Sequence, residues 1–182
     1  MEKYKNKYRV ASSRAQWWNY SWNAAYFITI CTKNRAHYFG EIIDKKMQLS
    51  NVGILADVFW HEAKHHAKNI ELDAFVVMPN HIHGILILNG EENENKLMHE
   101  KTIGEQRFQN QGKNSVSSII GSYKAAVTKH ANRLHLEFGW QSRFHDHIIR
   151  NENEFYRIAN YIENNVIKWQ EDKFFKNINN NA

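Results

Sequence analysis

Leu72-Asp73-Ala74-Phe75-Val76-Val77-Met78-Pro79-Asn80-His81-Ile82-His83-Gly84-Ile85-Leu86-Ile87-Leu88 decides the fold. Residues 72–78 and 81–88 are dense in β-branched and large apolar side chains, which read as strands, and Pro79-Asn80 breaks the run between them. Upstream, residues 25–32 form a third such run and read as a strand buried on both faces. Ser50 can cap a helix in which Val52, Leu55, Phe59, Ala63 and Ala67 recur at the helical period. Downstream, residues 89–115 are almost wholly polar with Gly90, Gly104 and Gly112, and read as a mobile insertion. Ser115 or Ser117 then caps a helix whose stripe is Val116, Ile119, Ile120, Tyr123, Val127, Ala131 and Leu134, and Gly139 is the expected close. Residues 142–149 read as a fourth strand. Asn151 leads into a last helix from 152 to about 170, and the tail from 177 to 182 is expected to fray.

The order is β-α-β-β-α-β plus a terminal helix, an α+β chain of the ferredoxin-like, split βαβ plan with an antiparallel sheet. The first and third strands then lie at the sheet's centre. Two helices cover one face, and the other is left to a ligand or to the extra helix. At 182 residues and 42% hydrophobic content, one domain spanning 1–182 is expected.

Twenty-four Lys and Arg against 19 Asp and Glu leave a net charge of +5, and 13% of residues are aromatic, which suits a polyanion whose bases can stack. The arm at residues 1–24 mixes Arg9 and Arg14 with Trp17 and Trp18, a combination fit for phosphate pairing and base stacking. Lys124, Lys129 and Arg133 form a further basic helix face. The single cysteine, Cys31, excludes an intrachain disulfide and any thiolate cluster made by one chain, and its apolar setting reads as inert. Met1-Glu2-Lys3-Tyr4-Lys5 lacks the apolar stretch of a signal peptide, and no run is long enough to span a bilayer, so a cytoplasmic protein with no membrane partner is expected.

Alternate residues of a strand share a face, so His81 and His83 stand side by side while Ile82 points the other way. Such a pair can ligate a metal or can be satisfied by hydrogen bonds, and spacing alone leaves both open. On the last helix, at about 100° per residue, Phe155, Ile158, Ala159, Ile162, Val166 and Trp169 share an apolar sector, while Tyr161, Asn165 and Lys168 fall together on its flank. They suit either a site at the sheet margin or the boundary of an ordinary amphipathic helix.

Val77-Met78-Pro79-Asn80-His81-Ile82-His83-Gly84, taken with Tyr161-Ile162-Glu163-Asn164-Asn165, resembles the HUH single-tyrosine transposases, especially their REP-associated (RAYT) branch. The similarity runs from the strand at Tyr26 through Trp140-Gln141 and His147-Ile148-Ile149-Arg150-Asn151-Glu152 to Lys168-Trp169, leaving out the polar insertion. It implies an endonuclease and strand transferase that recognises hairpin, REP-like single-stranded DNA and forms a 5′-phosphotyrosine. By position it makes Tyr161 the nucleophile and His81, His83 and Asn165 the ligands of a divalent ion, Mg²⁺ or Mn²⁺. The chain would act as a monomer or a homodimer, with Lys124 and Lys168 joining the arm in binding DNA. The branch commonly has Asn-Pro where Asn165-Val166 stands here, and without that proline the helix is expected to run on toward Trp169.

Three rivals are present. His61-Glu62-Ala63-Lys64-His65 matches the metallopeptidase pattern His-Glu-x-x-His, although no third ligand follows in a suitable context and basic neighbours favour a surface helix. His145 and His147 alternate on a strand and suit a nucleic-acid contact or a structural role. Tyr123 lies in an apolar stripe where a core tyrosine is expected. A ferredoxin-like sheet can also carry a non-catalytic nucleic-acid-binding domain, but such sheets show paired aromatics on the strand that here carries histidines.

Overall fold

The computed structural model describes residues 3–4, 7–8, 22–89 and 115–171. Arg9, Arg14, Trp17, Trp18, most of the polar insertion and the whole 177–182 tail lie outside them. β1 (Lys3–Tyr4) and β2 (Lys7–Tyr8) form a brief antiparallel pair. β3 (Ala24–Cys31) is followed by β4 (Gly40–Ile43), β5 (Lys46–Leu49), α1 (Asn51–His66), β6 (Ile70–Met78) and β7 (His81–Leu88). α2 (Val116–Arg133), β8 (His145–Ile149) and α3 (Glu152–Glu163) complete the order.

The main sheet runs β6-β7-β3-β8 with every neighbour antiparallel, which places β3 and β7, the first and third strands of the expected plan, at its centre. On β7 the even positions Ile82, Leu86 and Leu88 join Tyr26, Ile28 and Ile30 of β3 in one buried core against Val52, Ala56 and Trp60 of α1 and Ile119, Ile120 and Val127 of α2. Each large apolar side chain buried there contributes roughly 1.5–3 kcal/mol. Trp60 stacks on Phe75 with centroids 4.8 Å apart and reaches across β7 at Gly84, where a Cβ would lie 2.3 Å from its ring. Tyr123 sits edge-on to Trp60 and donates its hydroxyl to the Ala56 carbonyl at 2.9 Å.

The odd positions of β7 face the other layer. Ile85 packs with Ile149 of β8 and with Ile158 and Ile162 of α3, so α3 takes the face that α1 and α2 leave uncovered. Side-chain caps begin all three helices: Ser50 accepts from Gly53, Ser115 from Ser118, and Asn151 from Glu154.

Four features depart from the sequence expectation, the first being that β8 begins at His145 and not at residue 142. β4 and β5 form an unforeseen hairpin with Ile42 opposite Met47, turning through Asp44 and Lys45, both at positive φ. Such two-residue turns usually advertise themselves by Asn-Gly or Asp-Gly, and Asp-Lys does not. α2 stops at Arg133, well before Gly139, and closes through His135 at φ 54°. The last helix ends at Glu163 instead of running on toward Trp169. Asn164 Nδ2 there donates to the Asn160 carbonyl at 2.8 Å, and the next bonds tighten to Asn165 N–H on Ile162 O at 3.2 Å and Trp169 N–H on Val166 O at 3.4 Å. The Asn164 amide thus shares the Asn160 carbonyl with its own backbone N–H, a side-chain bond to the backbone of the kind that loosens a helix end. Among the described residues no helix is long and apolar enough to cross a membrane.

Two outcomes test this packing. Alanine normally outperforms glycine in a strand, yet Gly84→Ala should lower stability by about 1–3 kcal/mol, because its methyl must displace Trp60. A denaturant midpoint equal to or above wild type would show that Trp60 is not seated there. The second concerns Glu154, whose carboxylate accepts from Arg150 N–H at 2.9 Å and meets His147 Nε2 at 2.8 Å. The Arg150 amide first, and His147 second, hold its pKa below the ordinary 4.5. A depressed carboxyl pKa contributes stability that is complete above the unfolded value and is lost as pH falls through the folded one. Glu154→Gln should therefore be less stable than wild type at neutral pH, and the two thermal midpoints should converge in acid.

Candidate active site

Thr29 on β3 lies opposite His83 on one side and His145 on the other, and His83 in turn lies opposite Val76. Directly opposed residues of an antiparallel pair share a face, so Val76, His83, Thr29 and His145 form a row across the sheet on the α3 side. His81 stands two residues from His83 on that same face. Both imidazoles are buried, His81 at 0% and His83 at 1% exposure, and a buried ring nitrogen needs a partner. His81 Nδ1 is 2.8 Å from Asn80 Oδ1, and His83 Nδ1 is 2.8 Å from Thr29 Oγ1.

These contacts set the protons. An amide oxygen only accepts, so His81 carries its hydrogen on Nδ1 and presents a lone pair at Nε2. A hydroxyl can donate or accept, so His83 can hold its proton on either nitrogen without losing Thr29. The two Nε2 atoms face each other at 3.1 Å. In one arrangement His83 donates that proton to His81. In the other both nitrogens offer lone pairs to a cation, and two ligands at about 2.1 Å from one ion, roughly at right angles, are ~3 Å apart.

Tyr161 stands on the margin of this pair. Its hydroxyl is 3.3 Å from His83 Nε2, its ring lies edge-on to Phe27 with centroids 6.1 Å apart, and the residue is 41% exposed. The tightened turn after α3 buries Asn165 to 3% exposure, and its Oδ1 has no hydrogen-bond partner among the described residues. An unsatisfied buried acceptor costs about 1–3 kcal/mol, a cost that a bound cation would remove. Asn165 and Lys168 line a groove that Tyr161 also lines.

Lys124 is placed elsewhere. Its Nζ donates to the Gln141 carbonyl at 2.6 Å and sits 5.6 Å above the Trp140 ring, tying α2 to the loop before β8. Burial lowers its pKa, with the Cys31 thiol partly opposing. Tyr123 is a core residue, and burial together with the Asp57 carboxylate raises its pKa well above 10. His61, Glu62 and His65 are exposed on α1, where His61 approaches Asp57 at 3.9 Å. No group of three His, Cys, Asp or Glu among the described residues is arranged to hold a metal ion, so that helix supplies no third ligand of these types.

Sequence reading passed over Thr29, Asn80 and the role of Trp169. The first two orient the imidazoles, and Trp169 packs over His81 with centroids 6.0 Å apart. Thr29 is legible only once β3 is set against β7. Asn80 reads as a turn former, and Trp169 as one more apolar position.

The chain is 34% identical over 165 residues to an uncharacterized protein of Haemophilus influenzae, covering 90% of this chain and 92% of that one. Among solved structures, a REP-associated tyrosine transposase bound to a REP hairpin superposes with a TM-score of 0.59 at 19% identity, over 90% of this chain and 77% of the other. No protein-family model matches.

If Thr29 fixes His83 for ligation, Thr29→Val, which keeps the shape and deletes the hydroxyl, should weaken Mn²⁺ binding about 10–100-fold in calorimetric titration. Unaltered affinity in a folded variant would separate Thr29 from the ligand role of His83.

Proposed function

This chain belongs to one family with the Haemophilus influenzae protein and has the fold of the REP-associated tyrosine transposase; from that premise we propose that it is a transposase-like enzyme cutting and rejoining single-stranded DNA through Tyr161. The observation that carries the reading is the 3.3 Å approach of the Tyr161 hydroxyl to His83, which itself faces His81 at 3.1 Å. An ordinary boundary tyrosine would not need two buried imidazoles with their outer nitrogens held by Thr29 and Asn80. Hairpin DNA is the proposed substrate, by analogy with what the structural neighbour binds.

The chemistry follows from the parts. Tyr161 Oη attacks the phosphorus, the bond to the 3′-oxygen breaks, and that oxygen leaves as a hydroxyl after taking up a proton. The 5′-phosphate stays on the tyrosine. Attack by a 3′-hydroxyl on the phosphotyrosine reverses these steps, and because one phosphodiester replaces another no nucleotide cofactor is needed. A phenol of pKa about 10 must lose its proton on the way, and the half-exposed position of Tyr161 lets water carry it off.

His81, His83 and Asn165 fit a divalent ion, Mg²⁺ or Mn²⁺: two imidazoles whose Nε2 atoms face each other at 3.1 Å and a buried amide oxygen lacking a partner among the described residues. Such an ion would polarise the scissile phosphate and offset the charge that develops on it. Phe27 holds the tyrosine ring from the side, and Lys168 supplies a cation for the phosphate backbone in the groove beside it.

Tyr161→Phe removes one oxygen from a half-exposed position. It should reduce cleavage of labelled single-stranded DNA and the covalent protein–DNA adduct to background while leaving the thermal midpoint near wild type. Tyr156→Phe and His61→Ala, both on exposed helix faces, should keep full activity. Cutting by Tyr161→Phe, or a nucleotide mapped by mass spectrometry to another peptide, would overturn the assignment. Binding without any adduct from the wild type would leave a DNA-binding protein.

A further inference from the structure

Tyr161 stands where two grooves meet. One is lined by Asn165 and Lys168; the other, of about 560 Å³, is lined by Phe27, Thr29, His83 and His145, and Arg157, Tyr161 and Glu171 belong to both. Arg157 is placed one helical turn before Tyr161, on the same side of α3. Its side chain is 72% exposed, and its approach to Glu154 is long at 3.6 Å. Glu154 is already engaged by His147 and by the Arg150 amide, so the guanidinium keeps donors for another anion. His145 closes the far end of the Val76-His83-Thr29-His145 row, exposed and on the side of Thr29 away from His83. Phe27, half-buried between His83 and Tyr161, gives the groove an aromatic wall.

We infer that Arg157 and His145 form a phosphodiester-binding subsite for the nucleotide next to the bond that Tyr161 attacks, so that a single strand passes over Tyr161 from this groove into the one holding Lys168. The inference rests on the proposed function and names the side chains that position the strand. Arg157 would make a charge-assisted contact with a backbone phosphate, and His145 would donate a hydrogen bond from its imidazole. Phe27 lies where a base can stack, which fits single-stranded better than duplex nucleic acid. Neither Arg157 nor His145 touches the reacting atoms in this scheme, so both are positioning residues.

Binding of a labelled oligothymidylate, measured by fluorescence anisotropy across a salt series near neutral pH, tests this separately from the chemistry. Arg157→Gln should weaken binding about tenfold or more at low salt, as expected for losing a charged hydrogen bond. It should also flatten the slope of log affinity against log salt by about 0.7, the value for one lost phosphate contact on a single strand. His145→Asn should weaken binding several-fold. Lys45→Gln, at the β4–β5 turn and lining neither groove, is the control and should do neither. Equal losses in the control, or wild-type affinity and slope in Arg157→Gln, would overturn the subsite. A wild type that forms no covalent adduct, while Arg157→Gln still loses affinity and slope, would keep the subsite and remove the tyrosine mechanism. A wild type that fails to bind the probe at all would remove both.

Discussion

The two-residue alternation of β7 is the constraint on which everything else hangs. Its even positions fill the core under α1 and α2, while its odd positions carry His81 and His83 toward α3. A slip of one residue would exchange the layers, driving two imidazoles into hydrocarbon and three large aliphatic side chains out of it. Gly84 blocks that slip further, because the Trp60 ring fits against a position without a side chain and against no neighbouring one. The site is therefore held in register by a core it does not touch.

Burying two imidazoles side by side carries a desolvation cost that each outer nitrogen's hydrogen bond offsets. Asn80 and Thr29 supply those bonds from two directions, one from the turn that starts β7 and one from the neighbouring strand. The two partners differ in kind. Asn80 locks one tautomer of His81, whereas Thr29 leaves His83 free to move its proton between nitrogens. That asymmetry would keep the pair satisfied both with and without the proposed cation between its inner nitrogens. Asn165 lacks such a device, and its orphaned oxygen is the least satisfied buried group near the site.

Much of this was legible in the sequence because periodicity reports burial. The strand runs gave the central pair of the sheet, the stripes of α1 and α2 gave the covered face, and His-Ile-His gave two imidazoles on one side. Tyr161 was legible as a flank residue because Phe155, Ile158, Ala159 and Ile162 define the opposing sector. What failed to show depended on backbone conformation or on pairing. The Asp44-Lys45 turn uses positive φ without glycine, and the end of α3 depends on asparagine side chains competing with a helix whose apolar period continues to Trp169. The role of Thr29 is a property of two strands together, so neither strand alone contains it.

Hydrophobic packing also sets the distance of Tyr161 from the imidazole pair. Tyr161 is half-exposed, with its ring edge-on to Phe27 and its hydroxyl 3.3 Å from His83. The neighbouring Ile162 and the earlier Ile158 are buried against Ile85 and Ile149, and a rigid helix transmits their seating to every residue between them. Ile85 belongs to the same strand as His83, two positions along and on the same face. The apolar contact and the Tyr161–His83 contact are thus anchored to a single stretch of β7, so motion of α3 across the sheet shifts both together. Since displacements of about 1 Å can cost two orders of magnitude in rate, a core contact on the α3 side of the sheet would position the proposed nucleophile as well as hold the fold.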